Sequence, residues 1–151
     1  MRALIVVVAL GLLAQPALSA ETTRSTPISE AVNESLMISA AARAAVLEVY
    51  RGSGRMPKDR TDIGLSADPR DTSYGVVSAL EVFSGIVVVT FSDSAVDELA
   101  GRSLAFEPRA DAELGFGWTC TGRLPADAKH RRAPDTSALP IFCSAGHADA
   151  T

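Results

Sequence analysis

The chain has 151 residues, 47% of them apolar and 21% charged, and a formal net charge of −4. That length holds one domain with one modest core. An acidic balance spread along the chain argues against general affinity for nucleic acid, and no internal repeat or low-complexity tract occurs.

The chain opens MRALIVVVALGLLAQPALSAETT. Arg2 supplies a short positive start, Ala3 to Ala14 form an apolar run, Pro16 breaks it, and ALSA offers small-residue cleavage chemistry. This order predicts a Sec-type signal peptide over residues 1–20, cut after Ser19 or Ala20. The apolar run is too short to cross ~30 Å of hydrocarbon at ~1.5 Å per residue. No cysteine stands near the cut, so a lipid anchor is not indicated. The expectation is a periplasmic or secreted protein with no integral membrane span in the mature chain. Its charge would be −5, because Arg2 leaves the total of −4.

Residues 21–27, ETTRSTP, read as a polar linker, residues 28–145 as the globular domain and residues 146–151 as a flexible tail. Ser29 to Tyr50 carries a helical pattern, with Ser29 as the cap and Glu30 near the positive end of the dipole. Val32, Leu36, Ala40, Ala44, Leu47 and Tyr50 share one face and are the expected core stripe. Ile38, Ala42 and Val49 fall opposite, an apolar second face that could receive a partner. The plainer reading is that alanines simply occur on helix surfaces. Gly52, Gly54 and Pro57 end the helix.

Residues 51–73 read as irregular. YGVVSALEVF (Tyr74–Phe83) and IVVVTF (Ile86–Phe91) then read as strands around a Ser84-Gly85 hairpin turn. SDSAVDELAG connects them to a third strand, RSLAFEPR (Arg102–Arg109). GFGWTCTG (115–122) is the fourth, with Phe116, Trp118 and Cys120 on one face by the period of two. Residues 123–143 form a proline-rich loop. These elements predict an α+β fold, one long N-terminal helix packed on a four-stranded antiparallel sheet, followed by a C-terminal loop.

In an oxidising compartment Cys120 and Cys143, the only cysteines, are best read as one disulfide closing that loop. Two other uses compete with it. Cys120, Cys143 and His147 could hold a metal, but the C-x-x-C or H-x-x-x-H pairs of a structural zinc site are missing. A catalytic thiol would need a base, for which His130 and His147 are the only histidines. Inside the loop, KHRR (Lys129–Arg132) is the densest basic run. Lys129, Arg131 and Arg132 are candidate contacts for an anionic polymer, against the commoner reading of a solvated loop. No G-x-S-x-G, H-E-x-x-H or phosphate-binding glycine loop occurs. DPRD (Asp68–Asp71) has the composition of a turn, and SDSAVDE lacks the spacing of an EF-hand loop. No enzymatic role, cofactor or metal is expected.

The words SEAVNESLMISAAARAAVLEVYRGSGRMPKD, VVSALEVFSGIVVVTF, LAGRSLAFEPR, WTC and ALPIFC stand in an order that resembles the globular domain of type IV pilins of Gram-negative bacteria. In that family an Ala-rich helix runs into a glycine turn and a proline. A hairpin, a G-[KR]-x-L strand, W-x-C and a last cysteine after a proline follow. The resemblance covers about residues 28–143. It implies a long helix on a four-stranded sheet and a terminal loop closed by a disulfide, here Cys120–Cys143. The family's prepilin leader junction, with glycine, phenylalanine and a following glutamate, is not found in these words, so leader processing and filament-core packing are not carried over. The resemblance implies a structural or binding module outside the cytoplasm whose partner is a pilin or a pilus-assembly component. The alternative is an adhesin-like domain that binds an acidic surface polymer through the disulfide loop.

Overall fold

A computed structural model describes residues 26–109 and 116–143. The expected signal over 1–20, nearly all of the linker and the tail over 146–151 lie outside the described residues, as does His147.

The first helical segment, α1, is Pro27–Ile38, and the second, α2, is Ala40–Ser53. The helix thus starts two residues earlier than the expected Ser29. Proline suits the first helical position because its missing N–H would have no partner there. Thr26 is the cap in place of Ser29: its Oγ1 accepts the Ser29 N–H at 3.2 Å. At the other end Gly54 takes the left-handed conformation, φ 69°, and its N–H closes on the Tyr50 carbonyl at 2.7 Å, a glycine C-cap.

Four strands follow in a simple meander, β1 Val77–Phe83, β2 Ile86–Phe91, β3 Ser103–Arg109 and β4 Gly117–Thr121, paired antiparallel in the order β1-β2-β3-β4. The expected architecture is therefore present. Ser84 and Gly85 both have positive φ, 50° and 86°, which gives the twist a two-residue hairpin needs. Strand β1 is shorter than expected. Tyr74 and Val77 bond to each other in both directions at 2.9 Å, folding Tyr74 to Val76 into a tight turn. Gly75 sits in that turn at φ 53°, and a Cβ there would collide with the Glu34 carboxylate. Glu34 Oε1 in turn accepts the Val76 N–H at 3.2 Å, tying α1 to the entrance of the sheet.

The registers set two faces. Leu80, Val82, Val87, Val89, Leu104, Phe106 and Cys120 share one face and are buried with Val32, Ala42 and Val46 of the helix. Burying such a side chain is worth roughly 1.5–3 kcal/mol. The other face carries Ala79, Val88, Thr90, Ser103, Ala105 and Thr121, and these are buried too. Its cover is the loop after β4. His130 and Arg131 reach Glu81 on β1, His130 meets the Phe83 ring, and the Arg132 carbonyl accepts the Ser103 N–H at 2.8 Å. Thr90 and Ser103 share a hydroxyl–hydroxyl bond of 2.9 Å beneath it. On the outermost strand, buried Arg60 donates from Nη1 to the Leu80 carbonyl at 2.7 Å.

The loop is closed by the Cys120–Cys143 disulfide, whose ends are 23 positions apart in sequence with Cα atoms 4.5 Å apart. Closing a loop of this size removes unfolded-state freedom worth about 3–4 kcal/mol. A Cys120→Ser/Cys143→Ser double variant is expected to lose about that much in urea unfolding; a loss below about 1 kcal/mol would show that the cover holds without the bridge.

Candidate functional site

Two surfaces can carry function, the helix and the disulfide loop. On the helix, Val32, Ser35, Ser39, Ala42 and Val46 are buried, recurring every three or four residues. Two serines in that stripe are satisfied locally: Ser35 Oγ donates to the Val32 carbonyl at 2.7 Å and Ser39 Oγ to the Leu36 carbonyl at 3.3 Å. Because the inward face is partly serine, a search for apolar periodicity finds a different stripe. Of the expected core positions, Val32 is fully buried and Leu36 and Leu47 are half-buried, whereas Ala40, Ala44 and Tyr50 are exposed.

The expected partner face is corrected in the same way. Ala42 is 6% exposed and belongs to the core, Ile38 is half-buried and packs against that core, and Val49 is half-buried beside Met56 and Pro57. These residues form no free surface together. The face that does look outward is Met37, 78% exposed, with exposed Ala40, Ala41 and Ala44 and the flanks of Leu36 and Leu47. It is apolar along two turns and has a single large side chain. Glu48 and Arg51 follow it at the C-terminal end.

Arg43 lies between helix and sheet. Its guanidinium stands 5.3 Å from the Phe106 ring centre and 5.9 Å from that of Trp118, and Nη2 donates to the Leu36 carbonyl at 2.8 Å. Phe116 continues the row, 6.2 Å from Trp118 and 5.8 Å from Tyr50. Burial lowers the Arg43 pKa from its ordinary value, yet arginine stays charged at any working pH. The sequence reading missed this residue, since an arginine on a helix is normally a solvated side chain.

In the loop, Lys129 and Arg132 are exposed, but Arg131 is not a free cation. Its Nε donates to Glu81 Oε2 at 2.6 Å, and His130 Nε2 lies 3.2 Å from Glu81 Oε1. The expected anion contact of Lys129, Arg131 and Arg132 therefore loses its middle member to an internal ion pair. Both cysteines are spent in the disulfide, which removes the thiolates that a metal or nucleophile would need. The DPRD aspartates are local: Asp68 accepts the Arg70 N–H at 2.9 Å. That backbone bond holds the Asp68 carboxyl below its usual range. Asp59 and Asp135 are lowered likewise, Asp59 by the Thr61 hydroxyl and Asp135 by the Ser137 N–H. All three cap short turns.

Comparison with known proteins gives a consistent picture. A family described as pilin, the bacterial filament protein, matches residues 31–139, from the first buried helix residues to buried Leu139 in the disulfide loop. A type IV major pilin protein PilE1 of Neisseria gonorrhoeae is 30% identical over 150 residues, spanning 93% of this chain and 88% of the relative. A second PilE1 of that organism is 30% identical over 152 residues, spanning 93% of this chain and 82% of the relative.

The Glu81 pair is the internal tie that the loop sequence conceals. Glu81→Ala leaves Arg131 half-buried without its acceptor and is expected to lower unfolding stability by about 1–3 kcal/mol. Lys129→Ala should change it by less than about 0.5 kcal/mol. Urea midpoints of the two variants check the contrast.

Proposed function

Since the chain belongs to the pilin family of bacterial filament proteins, we propose that it is a structural subunit that packs against other pilin subunits through the outward face of its helix. The observation that carries the reading is that face: Met37, Ala40, Ala41 and Ala44 are exposed in a row while the opposite side of the same helix is fully used by the core. Small side chains let two helices approach to ~8 Å, and a methionine fits uneven partners because it is unbranched. The relatives bear the name of type IV major pilins, and a pilin or a pilus-assembly component is the partner such a face suits. Catalysis is no part of this reading.

The setting is extracytoplasmic, which agrees with a structural disulfide. Among the described residues no helix is long and apolar enough to cross a membrane. Residues 1–20 have two readings. The composition favours a cleaved signal. The alternative is a retained segment: a match over 93% of 151 residues leaves too few outside it to omit all of residues 1–20. The intact mass of protein taken from the cell envelope decides between them: loss of residues 1–20 supports cleavage, and their presence supports retention.

Ala44→Glu and Met37→Glu place a charge on the outward face without touching the core. Each is expected to cut co-sedimentation with sheared pilus filaments at least about tenfold while shifting subunit stability by no more than about 0.5 kcal/mol. Unchanged co-sedimentation of both variants would remove the helix face as the contact.

A further inference from the structure

The helix is interrupted at a single residue. Its regular run ends at Ile38 and resumes at Ala40, and Ser39 between them has φ −78° and ψ −5°, well away from the helical ψ of about −42°. Backbone bonds bracket the gap, from Ser39 N–H to Ser35 and from Arg43 N–H to Ser39, both 3.0 Å. Inside it the Leu36 carbonyl, which a regular helix would pair with the Ala40 N–H, is taken by side chains instead. Arg43 Nη2 donates to it at 2.8 Å and Ser39 Oγ at 3.3 Å. A side chain inserted into the ladder is a recognised cause of a helix bend.

The guanidinium that closes the gap also stands on the sheet, over Phe106 of β3 and Trp118 of β4. Its Nε is buried with no acceptor among the described residues. The Arg43 contact to Leu36 is charge-assisted and strong, while the unpaired Nε makes the seated arrangement less than fully satisfied. If Arg43 lifts, α1 keeps Val32 in the core and the Glu34 bond to Val76. It then has lost its tie to α2 at Leu36.

We propose that Ser39 is a joint in the long helix and that Arg43 is its latch. With the guanidinium seated between the Leu36 carbonyl and the Phe106–Trp118 pair, α1 and α2 hold one direction. With it unseated, α1 is held by its buried residues and the Glu34–Val76 bond without the tie at Leu36, and it loosens about Ser39, while α2 keeps Ala42 and Val46 in the core. Arg43 is thus a positioning residue for the segment that carries Met37. The inference rests on the geometry of the free chain and stands whether or not the outward face binds another subunit.

Hydrogen exchange on the full chain tests it. In the wild type, the Ala40 and Ala42 amides are expected to exchange at least about tenfold faster than those of Val46 to Tyr50. Arg43→Met keeps apolar bulk and removes the donors. It should raise exchange across residues 27–38 at least about tenfold and across 46–53 by less than about threefold, with Arg43→Lys between the two. Equal protection of Ala40, Ala42 and the Val46–Tyr50 amides in the wild type would overturn the joint. An equal rise in both segments of Arg43→Met would overturn the latch. If Arg43→Met does not fold, the wild-type comparison and Arg43→Lys still decide.

Discussion

A four-stranded sheet of mixed Val, Ala, Thr and Ser has two faces to keep dry, and among the described residues the α1–α2 helix covers one of them. The second face is covered by a loop whose one regular piece before Arg132 is the short 3-10 turn Ala126–Ala128. Residues 123–132 cross from β4 to β1, tie to Glu81 through Arg131 and His130, and align with Ser103 through the Arg132 carbonyl. A loop pays a large ordering entropy for such a route. The disulfide offsets part of it by denying the unfolded chain its full freedom. Val88 and Ala105 are buried beneath this route, and Thr90 pairs with Ser103 there.

The helix face obeys the same accounting. Alternation of threes and fours allows more than one apolar stripe on an alanine-rich helix, and the stripe chosen by the fold is the one whose polar members can satisfy themselves. Ser35 and Ser39 turn inward because each returns its hydroxyl to a carbonyl of the preceding turn. Of the apolar stripe, Ala40, Ala44 and Tyr50 are left outside. That leaves an outward face of Met37 and three alanines that the core of the monomer does not use.

Element types and their order were legible because they rest on strong local signals. The change of period at Tyr74, the Ser84-Gly85 pair and the glycines after Tyr50 each have one dominant structural meaning. The pairing of Cys120 with Cys143 was legible from their count and the expected compartment. The phase of the helix was not, since hydrophobicity cannot register a buried serine bonded to its own helix. Nor was the fate of KHRR. Arg131 and its acceptor Glu81 are far apart in sequence and meet only because the loop doubles back over the sheet. Arg43 was hidden for the same reason, as its rings come from β3 and β4.

The position of Trp118 has a practical corollary. It is the sole indole of the chain, and it stands in a row with Tyr50, Phe116 and the Arg43 cation, along the seam between helix and sheet. Its intrinsic emission is therefore a native optical gauge of that seam, needing no attached dye, and one that is blind to rearrangements confined to the opposite side of the molecule.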